Sequence, residues 1–189
     1  QGRSINGGAT SSRENALPTT SSSTRSVTQT VGTDYGYFGG GTPGIGAHTT
    51  VDRIDYSNDT PTATVKGPLS SDRYGGGATG NLSYGYFGGG YTPGSLTTVD
   101  RIDYSSDTPT AATKGPLNFG GYSFTATGNL SYGYFAGGYG PSNKTLIDRI
   151  DYSNDTPTAT AKGNLSVAAR GMSAAGTTSY GYFGGGAAP

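Results

Sequence analysis

The chain has 189 residues, in which 12 basic side chains balance 12 acidic ones, with one histidine, one methionine and neither cysteine nor tryptophan. This excludes disulfide staples and thiolate metal sites, and it leaves no basic footprint for DNA, RNA or anionic lipid. Thirty-five glycines also disfavour helices, at about 1 kcal/mol per helix-interior site relative to alanine, so Thr, Tyr, Val and Ile point to an all-β chain of thin sheets whose buried area comes mostly from Tyr and Phe.

Residues 1–24 are rich in Ser, Thr, Gly and Asn and unlike anything downstream. They read as a linker, or as a docking arm with Leu17 as its anchor. No signal-peptide pattern opens the chain, and no apolar run approaches the roughly 20 residues of a membrane span. From residue 25 to 189 the sequence is repetitive. Arg25–Gly32 reads as a degenerate first strand, and Tyr35 then begins YGYFGGG, which recurs with small changes at Tyr84, Tyr132 and Tyr180. A period of 48 or 49 residues marks one recurring supersecondary unit.

Each unit contains four strand-like stretches. The first is Arg73–Gly80, with counterparts at Gly121–Gly128 and Arg170–Gly176, and the second is the YGYFGGG motif. The third is Thr49–Tyr56, Thr97–Tyr104 and Thr145–Tyr152, and the fourth is Thr62–Leu69, Thr110–Leu117 and Thr158–Leu165. Turn chemistry separates them. Ser57–Pro61 and its copies join the third stretch to the fourth, and Gly80-Asn81 joins the first to the second. Four short strands linked in this way form an antiparallel meander, which needs neighbours on both faces.

The order of aromatic residues and Gly-Gly, then V-D-R-I-D, D-T-P-T and G-P-L-S, then Arg with glycines, resembles the kelch repeat of β-propellers over residues 17–186. Gly88 and Gly89 match that family's glycine doublet, Val99–Asp103 its third strand, Gly115–Leu117 its fourth-strand exit, and Arg73 the Arg that begins the next blade. The resemblance implies four-stranded antiparallel blades. Pro61, Pro109 and Pro157 stand where the family usually has Trp, and Ile54, Ile102 and Ile150 where it has Tyr. Packing is therefore expected to rest on Tyr35 with Tyr37, Phe38, Tyr86, Phe87, Tyr134, Phe135, Tyr182 and Phe183. The wording GYFGGG and DRIDYSNDT also resembles tandem-repeat structural proteins of marine bacteriophages.

The second strand occurs four times and the third three times, which makes about three and a half units. Closed propellers use about four to eight blades. The count predicts a piece of a longer array, two chains completing seven blades, or an open or trimeric β-repeat stack, and raw sheet edges in each case.

Candidate chemistry is sparse. Asp52 and Asp55 lie three apart on a strand and so face opposite ways, and with Arg53, Arg101 and Arg149 they predict a structural ion-pair ladder. Asp55, Ser57 and Asp59 have calcium-loop spacing, but Thr60 and Lys66 occupy the positions that need Gly and Glu, so an Asx-type turn is expected. Gly39–Gly44 matches G-x-G-x-x-G by letter and leads into a turn, not a helix. His48 has no Cys or second His to work with. No catalytic, cofactor or metal residue is assigned.

Variation among the copies concentrates in the loops after the glycine run and before the first strand. There Tyr91, Phe119, Tyr122, Tyr139 and Asn143 are the candidate contact residues for a protein or glycan surface. The sequence thus predicts a non-enzymatic structural or display protein of a virion or the extracellular space, such as a phage fibre, appendage or decoration component. Its expected partners are itself or other structural subunits. The alternative is a kelch-like binding module working through rim loops, in a soluble compartment the sequence does not specify.

Overall fold

The computed structural model describes residues 26–28, 34–42, 44 and 46–188. The 1–24 arm and the Leu17 anchor lie outside these residues, as does most of Arg25–Gly32, of which Ser26–Thr28 forms a strand. All regular elements among the described residues are strands, so no helix is long and apolar enough to cross a membrane.

The strands form four antiparallel sheets in strict chain order. The first sheet is β1 (Ser26–Thr28), β2 (Tyr35–Gly39), β3 (Val51–Asp55) and β4 (Thr64–Lys66); the second is β5 (Gly77–Gly80), β6 (Tyr84–Gly88), β7 (Val99–Asp103) and β8 (Ala112–Lys114). The third is β9 (Thr125–Gly128), β10 (Tyr132–Ala136), β11 (Lys144–Asp151) and β12 (Thr160–Ala169), and the fourth holds two strands, β13 (Ser173–Gly176) and β14 (Gly181–Gly184). The register is the same in each: Tyr37 lies opposite Arg53, Tyr86 opposite Arg101, and Tyr134 opposite Arg149.

Tyr-Gly-Tyr-Phe-Gly sends its residues alternately to the two faces of its sheet, and each face meets a different neighbour. Tyr37, Val51 and Leu69 of the first sheet pack on Ala78, Phe87, Ile102 and Ala111 of the second. The next layer repeats this with Tyr86, Val99 and Leu117 against Phe124, Ala126, Phe135, Ile150, Tyr152 and Ala159. A smaller cluster of Ala136, Ala169 and Met172, flanked by Ile147, Leu165 and Phe183, joins the third sheet to the fourth. Gly39 and Gly88 end their strands without a Cβ because the rings of Phe87 and Phe135 occupy that space, 2.8 and 2.7 Å from where a Cβ would stand. The glycines that follow take positive φ, +69° and +117° at Gly40 and Gly41, which explains the glycine run.

Two features depart from the sequence reading. Bridges Tyr74 to Tyr91, Tyr122 to Tyr139 and Arg170 to Ala187 show that Arg170 occupies the position of Tyr74, not of Arg73. The stretch Arg170–Gly176 is one residue shorter than Arg73–Gly80, so matching the two arginines slipped the register. β12 also runs ten residues where β4 and β8 run three. Asn164 replaces Pro68 and Pro116 there and can lie opposite Leu146 in the ladder, where proline lacks the N–H.

Of the residues expected to anchor packing, Tyr37, Tyr86, Phe87 and Phe135 are fully buried. Phe38, Tyr134 and Phe183 are half-buried, and Tyr182 is 62% exposed.

Candidate functional site

The strongest recurring arrangement is a polar joint between successive sheets. Arg53 lies 4.1 Å over the ring of Tyr35 on its own sheet. Its Nη1 donates to Asp107 Oδ2 of the next sheet at 2.8 Å, and Tyr37 Oη donates to the same oxygen at 3.0 Å. Lys66 Nζ completes the set, 3.2 Å from Oδ1. The second joint repeats the first: Tyr86 and Arg101 reach Asp155 Oδ2 at 2.9 and 2.8 Å, Lys114 reaches Oδ1 at 3.2 Å, and Arg101 lies 4.2 Å over Tyr84.

The aromatic part repeats equally closely. Tyr37 stacks on Tyr104 and Tyr86 on Tyr152, each with centroids 4.8 Å apart and planes at 16°. The Tyr152 hydroxyl also meets Thr79 Oγ1 at 2.8 Å. The turn that carries the aspartate lies on a glycine: Gly67 N–H donates to the Asp107 carbonyl and Gly115 N–H to that of Asp155, both at 2.8 Å.

These contacts set the ionisation of the joint. Burial opposes charge on Asp107, but the bonds from Tyr37 and Lys66 and the Arg53 charge outweigh it and hold the carboxyl below its ordinary value. Burial, reinforced by Asp107, pushes the Tyr37 phenol up to about 12, and Tyr86 moves the same way for the same reasons.

The structural ion pairs of Arg53 and Arg101 run between sheets, to Asp107 and Asp155, and not to Asp52 or Asp55 and their copies. Arg53 and Arg101 reach across to the next sheet: Asp52 and Asp100, one residue before them, face the opposite way, and Asp55 and Asp103, two residues after them on the same face, are engaged by Ser57 and Ser105. Asp55 instead accepts Ser57 N–H at 2.8 Å and Ser57 Oγ at 2.6 Å, as an Asx turn does, and Asp103 and Asp151 repeat this. Asp100 is fully buried, taking Arg73 Nη2 at 2.7 Å and Ser70 Oγ at 2.6 Å. In the next sheet Gly121 stands at the Arg73 position, and the buried Asp148 accepts both the backbone and side-chain N–H of Asn118.

A second arrangement gathers the predicted contact residues. Tyr91, Tyr122 and Tyr139 form a continuous row of rings with centroids 5.5 and 5.4 Å apart. Tyr74 extends it at one end, 5.6 Å from Tyr91, and the Arg170 guanidinium caps it at the other, 4.5 Å over Tyr139. Neither of these was foreseen, although their placement beside the first strands was a usable signal. Phe119 packs on the buried Phe124 at 5.0 Å with Lys144 5.8 Å above it, and Asn143 Nδ2 donates to the Ala187 carbonyl at 2.9 Å. All four tyrosines are half-buried, so the row is anchored yet accessible.

His48 meets Thr50 Oγ1 at 3.1 Å in a loop, and among the described residues no group of three His, Asp or Glu side chains is placed to hold a metal. Such geometry supports packing and surface recognition. The chain matches no protein-family model, and no curated protein is similar to it.

Proposed function

We propose that the chain is a non-enzymatic structural or display protein of kelch-like, propeller-type blades, acting in a virion or the extracellular space as a fibre, appendage or decoration component. The observation that carries this reading is the joint itself. Tyr37, Arg53 and Lys66 on one side and Tyr104 and Asp107 on the other recur with the same distances one sheet later, so the array is extended by adding units. The titratable side chains that the fold buries are engaged in holding sheets together, which suits a scaffold. Quantifying the chain in purified particles or filaments tests the reading: a fixed stoichiometric presence is expected, and recovery solely as a soluble monomer would refute it.

The tyrosine row favours a second reading, a module that recognises protein or glycan through its rim. Aromatic faces spanning two sheets suit stacking against sugar rings or a partner's apolar patch. Replacing Tyr91, Tyr122 and Tyr139 together by Ala should then remove binding on a glycan or protein array while the fold persists. Unchanged binding would exclude it.

A further inference from the structure

The joint has a third copy of one side only. Tyr134, Arg149 and Lys162 occupy the positions of Tyr37, Arg53 and Lys66, and Arg149 lies 4.2 Å over Tyr132 as Arg53 does over Tyr35. Among the described residues no carboxylate reaches this trio, and the buried Arg149 Nε has no hydrogen-bond partner. Tyr134 is half-buried where Tyr37 and Tyr86 are fully buried, and Lys162 is exposed.

A cleft of about 320 Å³, its open mouth included, lies beside this trio between the third and fourth sheets. Thr127, Tyr134 and Gly181 line it. They are the counterparts of Thr79, Tyr86 and Gly133, the three residues around the ring of Tyr152: Thr79 bonds its hydroxyl, Tyr86 stacks on its face, and at Gly133 a Cβ would stand 2.7 Å from its Oη. The cleft is therefore shaped for a tyrosine ring. Above it, Gly67 and Gly115 have no room for a Cβ because the carbonyls of Pro109 and Pro157 press on them, while nothing stands within 4 Å of the equivalent point on Gly163. Among the described residues β14 pairs only with β13, and none pairs with its other edge.

We infer that this site binds a β-hairpin of the chain's own third-and-fourth-strand type, with a tyrosine followed three residues later by the aspartate of a D-T-P turn. The hairpin adds to the β14 edge with its Arg opposite Tyr182, as Arg101 lies opposite Tyr86. Its tyrosine enters the Thr127, Tyr134 and Gly181 cleft. Its aspartate then reaches Tyr134, Arg149 and Lys162, and the carbonyl of that aspartate accepts the Gly163 N–H. Strand addition supplies the affinity, and the Tyr and Asp supply the specificity. The opposite charges of the aspartate and the Arg149–Lys162 pair argue for this occupant over a neutral strand.

The inference deepens the assembly reading and rests on it for its biological setting. Its test does not: a labelled synthetic peptide of residues 97–117, TTVDRIDYSSDTPTAATKGPL, is titrated into the full chain by fluorescence anisotropy. Saturable binding at one peptide per chain is expected. Replacing Asp107 by Asn in the peptide should weaken it at least about tenfold, since the basic pair then faces no charge. In the chain, Arg149→Ala should do the same, and Gly163→Val should block the turn while leaving the melting temperature of the free chain unchanged. Absence of binding, or binding indifferent to both the peptide aspartate and Arg149, would overturn the inference, whatever is found in particles.

Discussion

Asp59, Asp107 and Asp155 occupy equivalent places in three repeats, yet the fold gives them different surroundings, so replacing each by Ala isolates the worth of the joint. Breaking a buried ion pair from one side costs about 3–5 kcal/mol when its partner stays buried. Here Arg53 and Lys66 keep 23% and 13% of their side-chain surface in water. Solvent recovers part of that cost, and about 2–3 kcal/mol is expected for Asp107→Ala. The Tyr37 hydroxyl, in a side chain 1% exposed, is also left without its acceptor, which favours the upper end of that range. Asp155→Ala should cost a similar amount, because its distances repeat. Asp59, exposed and without an ion-pair partner among the described residues, should change stability by no more than about 0.5 kcal/mol. For a chain of this size each kcal/mol moves the midpoint by about 2–4 °C, which predicts a fall of about 5–10 °C for the first two variants. Urea unfolding followed by circular dichroism and by tyrosine fluorescence measures the free energies, with the slope checked for constancy. Equal losses at all three positions, or none at Asp107 and Asp155, would refute the reasoning.

Gly67→Ala and Gly115→Ala should each destabilise strongly, by about 3 kcal/mol or more, because the new Cβ collides with the Pro109 or Pro157 carbonyl, whereas Gly163→Ala meets open space and should be silent in the same urea assay. Arg73→Ala leaves the fully buried Asp100 facing only Ser70 and takes one donor from each of the Phe87, Gly89 and Thr98 carbonyls, so a loss of about 3–5 kcal/mol is expected from thermal unfolding. Stability should fall at both ends of the pH scale. Asp107 has a depressed folded-state pKa, so its contribution is present above its ordinary value of 3.8 and lost as pH drops through the folded value. Tyr37 has a raised one, so its contribution is intact below pH 10 and lost between 10 and about 12. Phenolate absorbance recorded alongside circular dichroism should show Tyr37, Tyr86 and Tyr152 ionising only as the chain unfolds, and ionisation ahead of unfolding would contradict their burial.

Most of the fold was legible because its signals are local and repeated. Alternation in YGYFG and VDRID, the S-x-D-T-P turns and the glycine doublet each act within a few residues, and copying them at a fixed period removed ambiguity about order and pairing. The partners of Arg53 and Arg101 were not legible. A carboxylate one or two residues away in sequence looks like the obvious mate of an arginine, but the pleat turns the first to the other face and a serine of the following turn engages the second, and the actual mate lies 54 residues on in a turn that only stacking brings near. The Arg170 position failed for the opposite reason: the last first-strand stretch is one residue shorter, and letter identity at Arg170 outweighed the pairing constraint that places it with Tyr74. The candidate rim residues were found by their variability, whereas Tyr74 was hidden in a stretch read as repeat framework.

The two faces of a unit are not interchangeable, and this decides how such units can combine. One face carries Tyr, Arg and Lys, and the other carries Tyr and Asp, so stacking like on like would bury either two carboxylates or two basic clusters without a counter-charge. Only head-to-tail stacking satisfies both faces. The apolar layers of Tyr, Phe and Val are similar at each junction and would tolerate some misregister, since aromatic and aliphatic contacts are not strongly directional. The Tyr37–Asp107–Arg53 bonds are directional, and a shift of one residue sends their side chains to the wrong face. The apolar layers thus supply most of the favourable energy, and the joint selects polarity and register. A repeat scaffold built this way extends in one direction, each unit presenting its Tyr, Arg and Lys to the Tyr and Asp of the next.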